Sequence, residues 1–192
     1  MIYEMMVPPF EHGEFSEMNK KQTEQYFNWY VGQIKYRIEQ LIDLIHNEGV
    51  EYEFDYSIDS LVPIWKWLET KISYRVLSDE EYQNKLDKYP EWMAEYIPKK
   101  EFSYETLMYV ADVAMYFAEV MIKNNDGKIK WGYFTGRKKR QSVNEPVLLG
   151  FKNNVDLNPR LVLLNLLRRS SKEINEKRLY DIYHVWMKYV DR

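Results

Sequence analysis

Ser103-Tyr-Glu-Thr-Leu-Met-Tyr-Val-Ala-Asp-Val-Ala-Met-Tyr-Phe-Ala-Glu-Val-Met-Ile-Lys123 is the stretch on which the fold turns. Its apolar residues recur at intervals of three and four. Leu107, Val110, Ala111, Ala114, Phe117, Ala118 and Met121 make one helical stripe, and Tyr109, Val113, Tyr116 and Val120 make a second. Ser103 is placed to cap the start. A helix apolar on nearly every side belongs at the centre of a fold. Ala111, Ala114 and Ala118, with Ala94 the only alanines of the chain, predict that another helix approaches it closely. Two carboxylates, Asp112 and Glu119, sit on this same helix. Seven residues at 1.5 Å each set them about 10 Å apart along the axis, on nearly the same side. That is too far for the acid and nucleophile of a retaining glycosidase. A buried charge needs a partner, so each reads as satisfied by an Arg, Lys, Tyr or backbone group, or as the working acid of a pocket beside the helix.

Working toward the N-terminus, Ser57 precedes a helix with Leu61, Ile64, Trp65, Leu68 and Ile72 on one face, and Pro63 falls in its first turns, where a missing N–H costs least. Ser78-Asp-Glu-Glu81 has capping-box spacing and opens a short segment that Pro90 interrupts and Pro98 ends. A longer helix is expected from a Ser16 cap to about Asn47, stopped by Gly49. Phe27, Tyr30, Val31, Ile34, Ile38, Leu41 and Ile45 form its buried face, with Lys35, Arg37 and Glu39 off it. Val50 to Tyr56 alternates apolar and acidic residues, as a strand or an extended acidic loop does.

Toward the C-terminus, Asn124-Asn-Asp-Gly127 is a turn. Lys128 to Phe134 and Pro146 to Phe151 are short strands separated by a basic loop over Gly136 to Gln141. Asn158-Pro159 caps a helix ending near Arg168 and Arg169. A final helix runs from about Glu176 to Val190, with Leu179, Ile182, Tyr183, Trp186 and Tyr189 or Val190 inward. No repeat and no Gly/Ser/Pro-rich linker divides the chain, so the reading is one domain over residues 1–192. Its class is α+β, predominantly α-helical, a helical domain with a small antiparallel β element.

The 192 residues are 45% hydrophobic, enough to bury a core and too many for a disordered tail. The 6 Trp, 17 Tyr and 8 Phe are many. With alanine so scarce, this is the composition of an AT-rich genome as much as that of a binding surface. Cysteine is absent, which removes disulfides, thiolate metal sites and a Cys nucleophile and fits a reducing compartment. No basic n-region opens the chain, and the longest stretch free of charge, Gln25 to Ile34, is ten residues, far short of a membrane span. The expectation is a soluble, cytoplasmic protein with no membrane partner. The net charge of −3 conceals a division: residues 1–120 carry 23 acidic and 11 basic side chains, residues 121–192 carry 7 acidic and 16 basic. Either the two ends neutralise each other, or one field steers a charged partner.

His12, His46 and His184 show no metal-ligand spacing, and no nucleophile elbow, P-loop or dinucleotide fingerprint occurs. No cofactor or metal is expected, and no catalytic residue is assigned. The cluster nearest to a nucleic-acid footprint is Lys128, Lys130, Arg137, Lys138, Lys139 and Arg140, with Trp131, Tyr133 and Phe134 beside it to stack on bases. The overall acidity of the chain argues against that use.

Several segments carry a resemblance: Phe15 to Lys21, Tyr26-Phe-Asn-Trp-Tyr30, Arg37 to Leu41, Leu61-Val-Pro-Ile-Trp65, Tyr116-Phe-Ala-Glu-Val120, Lys130-Trp131, Asn144-Glu-Pro-Val-Leu148 and Asn158-Pro159. Together they resemble a Firmicutes family of about this length, with features of the immunity proteins of bacterial polymorphic toxin systems. The chain departs from that pattern at Ala118, where the related pattern carries glycine. The resemblance implies a small cytoplasmic protein that binds and neutralises a toxin, and it carries over no catalytic residue. The expected function is therefore that of an interaction protein, with Glu48, Glu51, Glu53, Asp55 and Asp59 as the surface presented to the partner. The alternatives are an enzyme using Asp112 or Glu119 and nucleic-acid binding through residues 128–140.

Overall fold

A helix apolar on all sides must be surrounded, and the rest of the chain is arranged to do so. The computed structural model describes residues 3–135, 141–170 and 175–190. The central segment is helix α4 (Tyr104–Lys123), capped as expected by the Ser103 hydroxyl, which accepts from the Thr106 N–H at 3.1 Å. Both of its stripes are buried apart from the half-buried Leu107 and Ala111, with Val110, Val113, Ala114 and Phe117 buried completely. It packs between α1 (Lys20–Asn47) and α5 (Pro159–Ser170), and a third helix, α2 (Leu61–Thr70), closes on it with α6 (Arg178–Met187) behind. One buried cluster runs through all five helices. The short α3 (Asp79–Leu86) contributes nothing fully buried and lies outside that cluster. None of these helices is long and apolar enough to cross a membrane.

The β structure is small. β1 (Tyr74–Val76) pairs antiparallel with β2 (Lys100–Phe102), and β3 (Lys130–Gly132) pairs antiparallel with β4 (Val147–Leu149). The second pair is the expected one, trimmed at both ends. The first was not signalled by the sequence, because three residues are too few to display a period of two. The fold is thus α+β with helix in excess.

Four details differ from the sequence reading. Helix α1 starts three residues later than a Ser16 cap would place it. Asn19 supplies a reciprocal capping box with Gln22, while Ser16 lies in a 3₁₀ turn over Phe15–Glu17. Val50 to Tyr56 forms no strand. Its alternation is real, with Phe54 buried and Glu51, Glu53 and Asp55 exposed, but no neighbouring strand is present to pair with it among the described residues. Arg37, assigned to the solvent side of α1, is buried. Helix α6 begins at Arg178, and at its end it is Val190 that turns inward, bridged to Phe151, while Tyr189 is exposed.

Two glycines test the packing from opposite directions. Gly150 follows β4 at φ +114°, and a Cβ there would collide with the backbone carbonyl of Lys128. Gly32 is helical and exposed, with nothing within 4 Å of where a Cβ would sit. Urea denaturation should therefore show Gly150→Ala losing at least about 3 kcal/mol, through forbidden backbone and clash together. Gly32→Ala should gain about 0.5–1 kcal/mol.

Candidate functional site

The buried carboxylate on α4 is met from two directions. Arg37 of α1 clamps Asp112 through Nε to Oδ1 at 3.0 Å and through Nη2 to Oδ2 at 2.5 Å, and its Nη1 donates to the Glu4 carbonyl at 2.9 Å. The Tyr3 hydroxyl donates to Asp112 Oδ2. The residues are 6% and 1% exposed, so both charges have left water. Burial raises the Asp112 carboxyl above its ordinary pKa against the pull of Arg37 and Tyr3. Burial likewise works against the Arg37 charge, but Asp112 outweighs it and holds the guanidinium firmly protonated. A forked guanidinium against a carboxylate is the geometry that best repays desolvation of both.

Asp112 does line a cavity beside α4, of about 280 Å³, as the enzyme alternative requires. Its oxygens, however, are committed to Arg37 and Tyr3. Glu119 faces elsewhere and accepts the Trp131 indole N–H at 3.0 Å. Neither carboxylate is presented as a free acid or base. Among the described residues no group of three or more His, Asp or Glu is gathered that could hold a metal ion.

The five acidic candidates separate into one and four. Glu48 is used internally: it accepts the Trp67 indole N–H at 2.6 Å and pairs with Lys71 at 2.7 Å. Burial would raise its pKa, but the hydrogen bonds from Lys71 and Trp67 outweigh that and lower it. Glu51, Glu53, Asp55 and Asp59 are exposed and, among the described residues, have no cation against them. Only Asp55 is engaged, by Ser57, whose hydroxyl and then its N–H at 2.9 Å lower the Asp55 pKa.

The backbone beneath these four is held tightly. Tyr56 has φ +63°, a conformation that a bulky side chain adopts only when its surroundings compel it. Its N–H donates to the Tyr116 hydroxyl at 3.2 Å, and its carbonyl accepts from Asn124 Nδ2 at 2.9 Å. Its ring stacks on Tyr116 and receives the Lys123 ammonium over its face. The Tyr116 hydroxyl donates in turn to Ser60 Oγ at 2.6 Å, and Ser60 to the Ser57 carbonyl at 2.6 Å. His46 Nε2 lies 2.9 Å from the Tyr52 carbonyl, and the His46 ring packs on Phe54. The segment is an acidic ribbon laid along the core with its apolar residues pinned inward.

Of the basic candidates, Lys128 and Lys130 are exposed, whereas Arg137, Lys138, Lys139 and Arg140 lie outside the described residues. The aromatics meant to stack on bases are turned in: Trp131 meets Tyr30 edge-on and is tied to Glu119, and Tyr133 packs on Phe27. Arg37 is the site residue that sequence reasoning placed wrongly. The signal for it was indirect, since an aspartate on an all-apolar helix demands a cation from the nearest helix.

No family model, curated protein or solved structure matches the chain.

Two outcomes follow from these geometries. Arg37→Met leaves the Asp112 carboxylate buried alone and should cost about 3–5 kcal/mol of unfolding free energy in urea. The double variant Arg37→Met, Asp112→Leu should recover most of that loss; equal loss in single and double variants would contradict the pairing. Glu48, with its pKa lowered in the fold, contributes stability above the ordinary carboxylate range, and that contribution is lost as pH falls through its folded pKa. The stability gap between the wild type and Glu48→Gln should accordingly be present at pH 7 and narrow progressively as pH falls below the ordinary carboxylate range on urea denaturation.

Proposed function

We propose that this chain is an interaction protein that presents the acidic ribbon Glu51 to Asp59 to a basic surface on a protein partner, and that the partner is a bacterial toxin which it neutralises. The observation that carries the reading is that Glu51, Glu53, Asp55 and Asp59 face solvent with no cation against them among the described residues, while the backbone bearing them is pinned at Tyr56 by Tyr116 and Asn124. An acidic side chain with no internal use contributes little to stability. Held on a fixed backbone, four of them instead make a preorganised field that speeds encounter with a basic partner and loses less entropy on binding. The toxin class rests on the family resemblance of the sequence segments. For a nuclease toxin the consequence is direct, because carboxylates spaced along an extended ribbon occupy a groove built for phosphates.

The enzyme alternative finds less support, since Asp112 is held by Arg37 and Tyr3 and Glu119 by Trp131.

The test is co-purification with the product of the adjacent gene, followed by calorimetry at low and high salt. Association should weaken as salt rises, and Glu51→Lys, Glu53→Lys, Asp55→Lys together should lower affinity at least about 100-fold, a loss of roughly 3 kcal/mol. Unchanged affinity in the triple variant would remove the ribbon from the interface.

A further inference from the structure

The cavity of about 280 Å³ beside α4 has a different character from the ribbon. Its walls are apolar and adaptable, with Met5, Met6, Met108 and Leu164 among them. The charges that reach it are neutralised in pairs before any ligand arrives. Arg37 is clamped on Asp112, and Arg160 donates from Nη2 to Glu145 Oε2 at 2.9 Å, an oxygen that also accepts from Asn158 Nδ2 at 2.9 Å. A charged ligand would therefore find no spare counter-charge and would be desolvated at a loss.

Two polar groups in the cavity remain unused. The hydroxyls of Tyr26 and Tyr30, one helical turn apart on α1, have no hydrogen-bond partner among the described residues. Tyr30 is fixed by its rings' neighbours, Trp131 edge-on at 5.6 Å and Tyr26 stacked at 6.3 Å. Burial, and after it the neighbouring Tyr26 phenol, raises its pKa against the pull of Arg160, so the phenol keeps its proton and serves as a donor. Tyr26 is raised for the same first reason. A largely apolar chamber lined by two phenols, with its charges already paired, is specific in what it accepts.

We propose that this cavity is a binding site for an uncharged, mainly apolar small molecule that carries a hydrogen-bond acceptor, with Tyr26 and Tyr30 as the donors that orient it. A 150 Å³ apolar cavity holds one benzene, so the space at hand suits a ligand of about two rings. A carbonyl oxygen on such a ligand takes the place of the water that otherwise satisfies the phenols.

The probe is 2-acetylnaphthalene, a neutral two-ring ketone, titrated into the full chain labelled with ¹³C at its methionine methyls. Saturable shifts are expected at Met5, Met6 and Met108. Naphthalene, which lacks the acceptor, and 2-naphthoate, which carries a charge, should each bind at least about fivefold more weakly than the ketone, on the scale of one hydrogen bond or one desolvated charge. Tyr30→Phe should weaken the ketone by about fivefold without weakening naphthalene. Ala111→Leu, which fills the chamber, should abolish saturation; if it does not fold, Tyr30→Phe and Tyr26→Phe carry the test. Absence of a saturable shift would overturn the proposal. So would shifts centred on other methionines, equal binding of ketone and naphthoate, or ketone affinity indifferent to both phenylalanine variants.

Discussion

A helix buried on every side has no water to satisfy its polar side chains, so each must be met by a segment brought to it. On α4 this constraint organises the molecule. Thr106 donates to the Lys71 carbonyl and accepts the Ser73 N–H, which fixes the approach to β1. Asp112, further along, gathers Tyr3 and Arg37, tying the N-terminal lead and α1 to the centre. Tyr116 holds Ser60 and the Tyr56 N–H, and Asn124, just past the helix end, holds the Tyr56 carbonyl. Glu119 takes the Trp131 indole and so anchors β3. Each of these bonds is worth only about 1 kcal/mol net, but leaving any one buried group unmet costs more.

The same constraint accounts for both surfaces of interest. The ribbon lies outside any sheet, its backbone held from the core side at the Tyr52 carbonyl by His46 and at the Tyr56 N–H and carbonyl by Tyr116 and Asn124, while the Tyr52 and Asp55 N–H groups turn back to Val50 and Glu53. That leaves Glu51, Glu53 and Asp59 free of structural duty, and Asp55 with only its local bond to Ser57. At the cavity, Asp112 and Arg37 consume each other's charge, leaving the Tyr26 and Tyr30 hydroxyls without partners among the described residues. In both places the polar demands of the core are settled locally, and what is left over is available to a partner or ligand.

The fold was legible where local signals were strong. The two stripes of α4, the Ser78 capping box, Asn158-Pro159 and the pairing of the segments around Trp131 and Leu148 all follow from periodicity and capping chemistry. The departures share a cause, which is dependence on distant residues. Asn19 displaces Ser16 as the cap because Gln22 can reciprocate. Residues 50–56 alternate without becoming a strand because pairing needs a second strand, and alternation alone does not supply one. β1 and β2 are too short to show a pattern. Arg37 looked like a surface residue on its own helix; only Asp112, 75 positions later, makes it a core one.

The central claim is that the acidic ribbon is a fixed surface, held by the buried helix beneath it. Backbone ¹⁵N relaxation across Glu51 to Ser57 tests this most directly. Order parameters near 0.85, equal to those of α4, are the expected result. Values below about 0.6 across the segment would mean a freely moving acidic loop and would contradict the account.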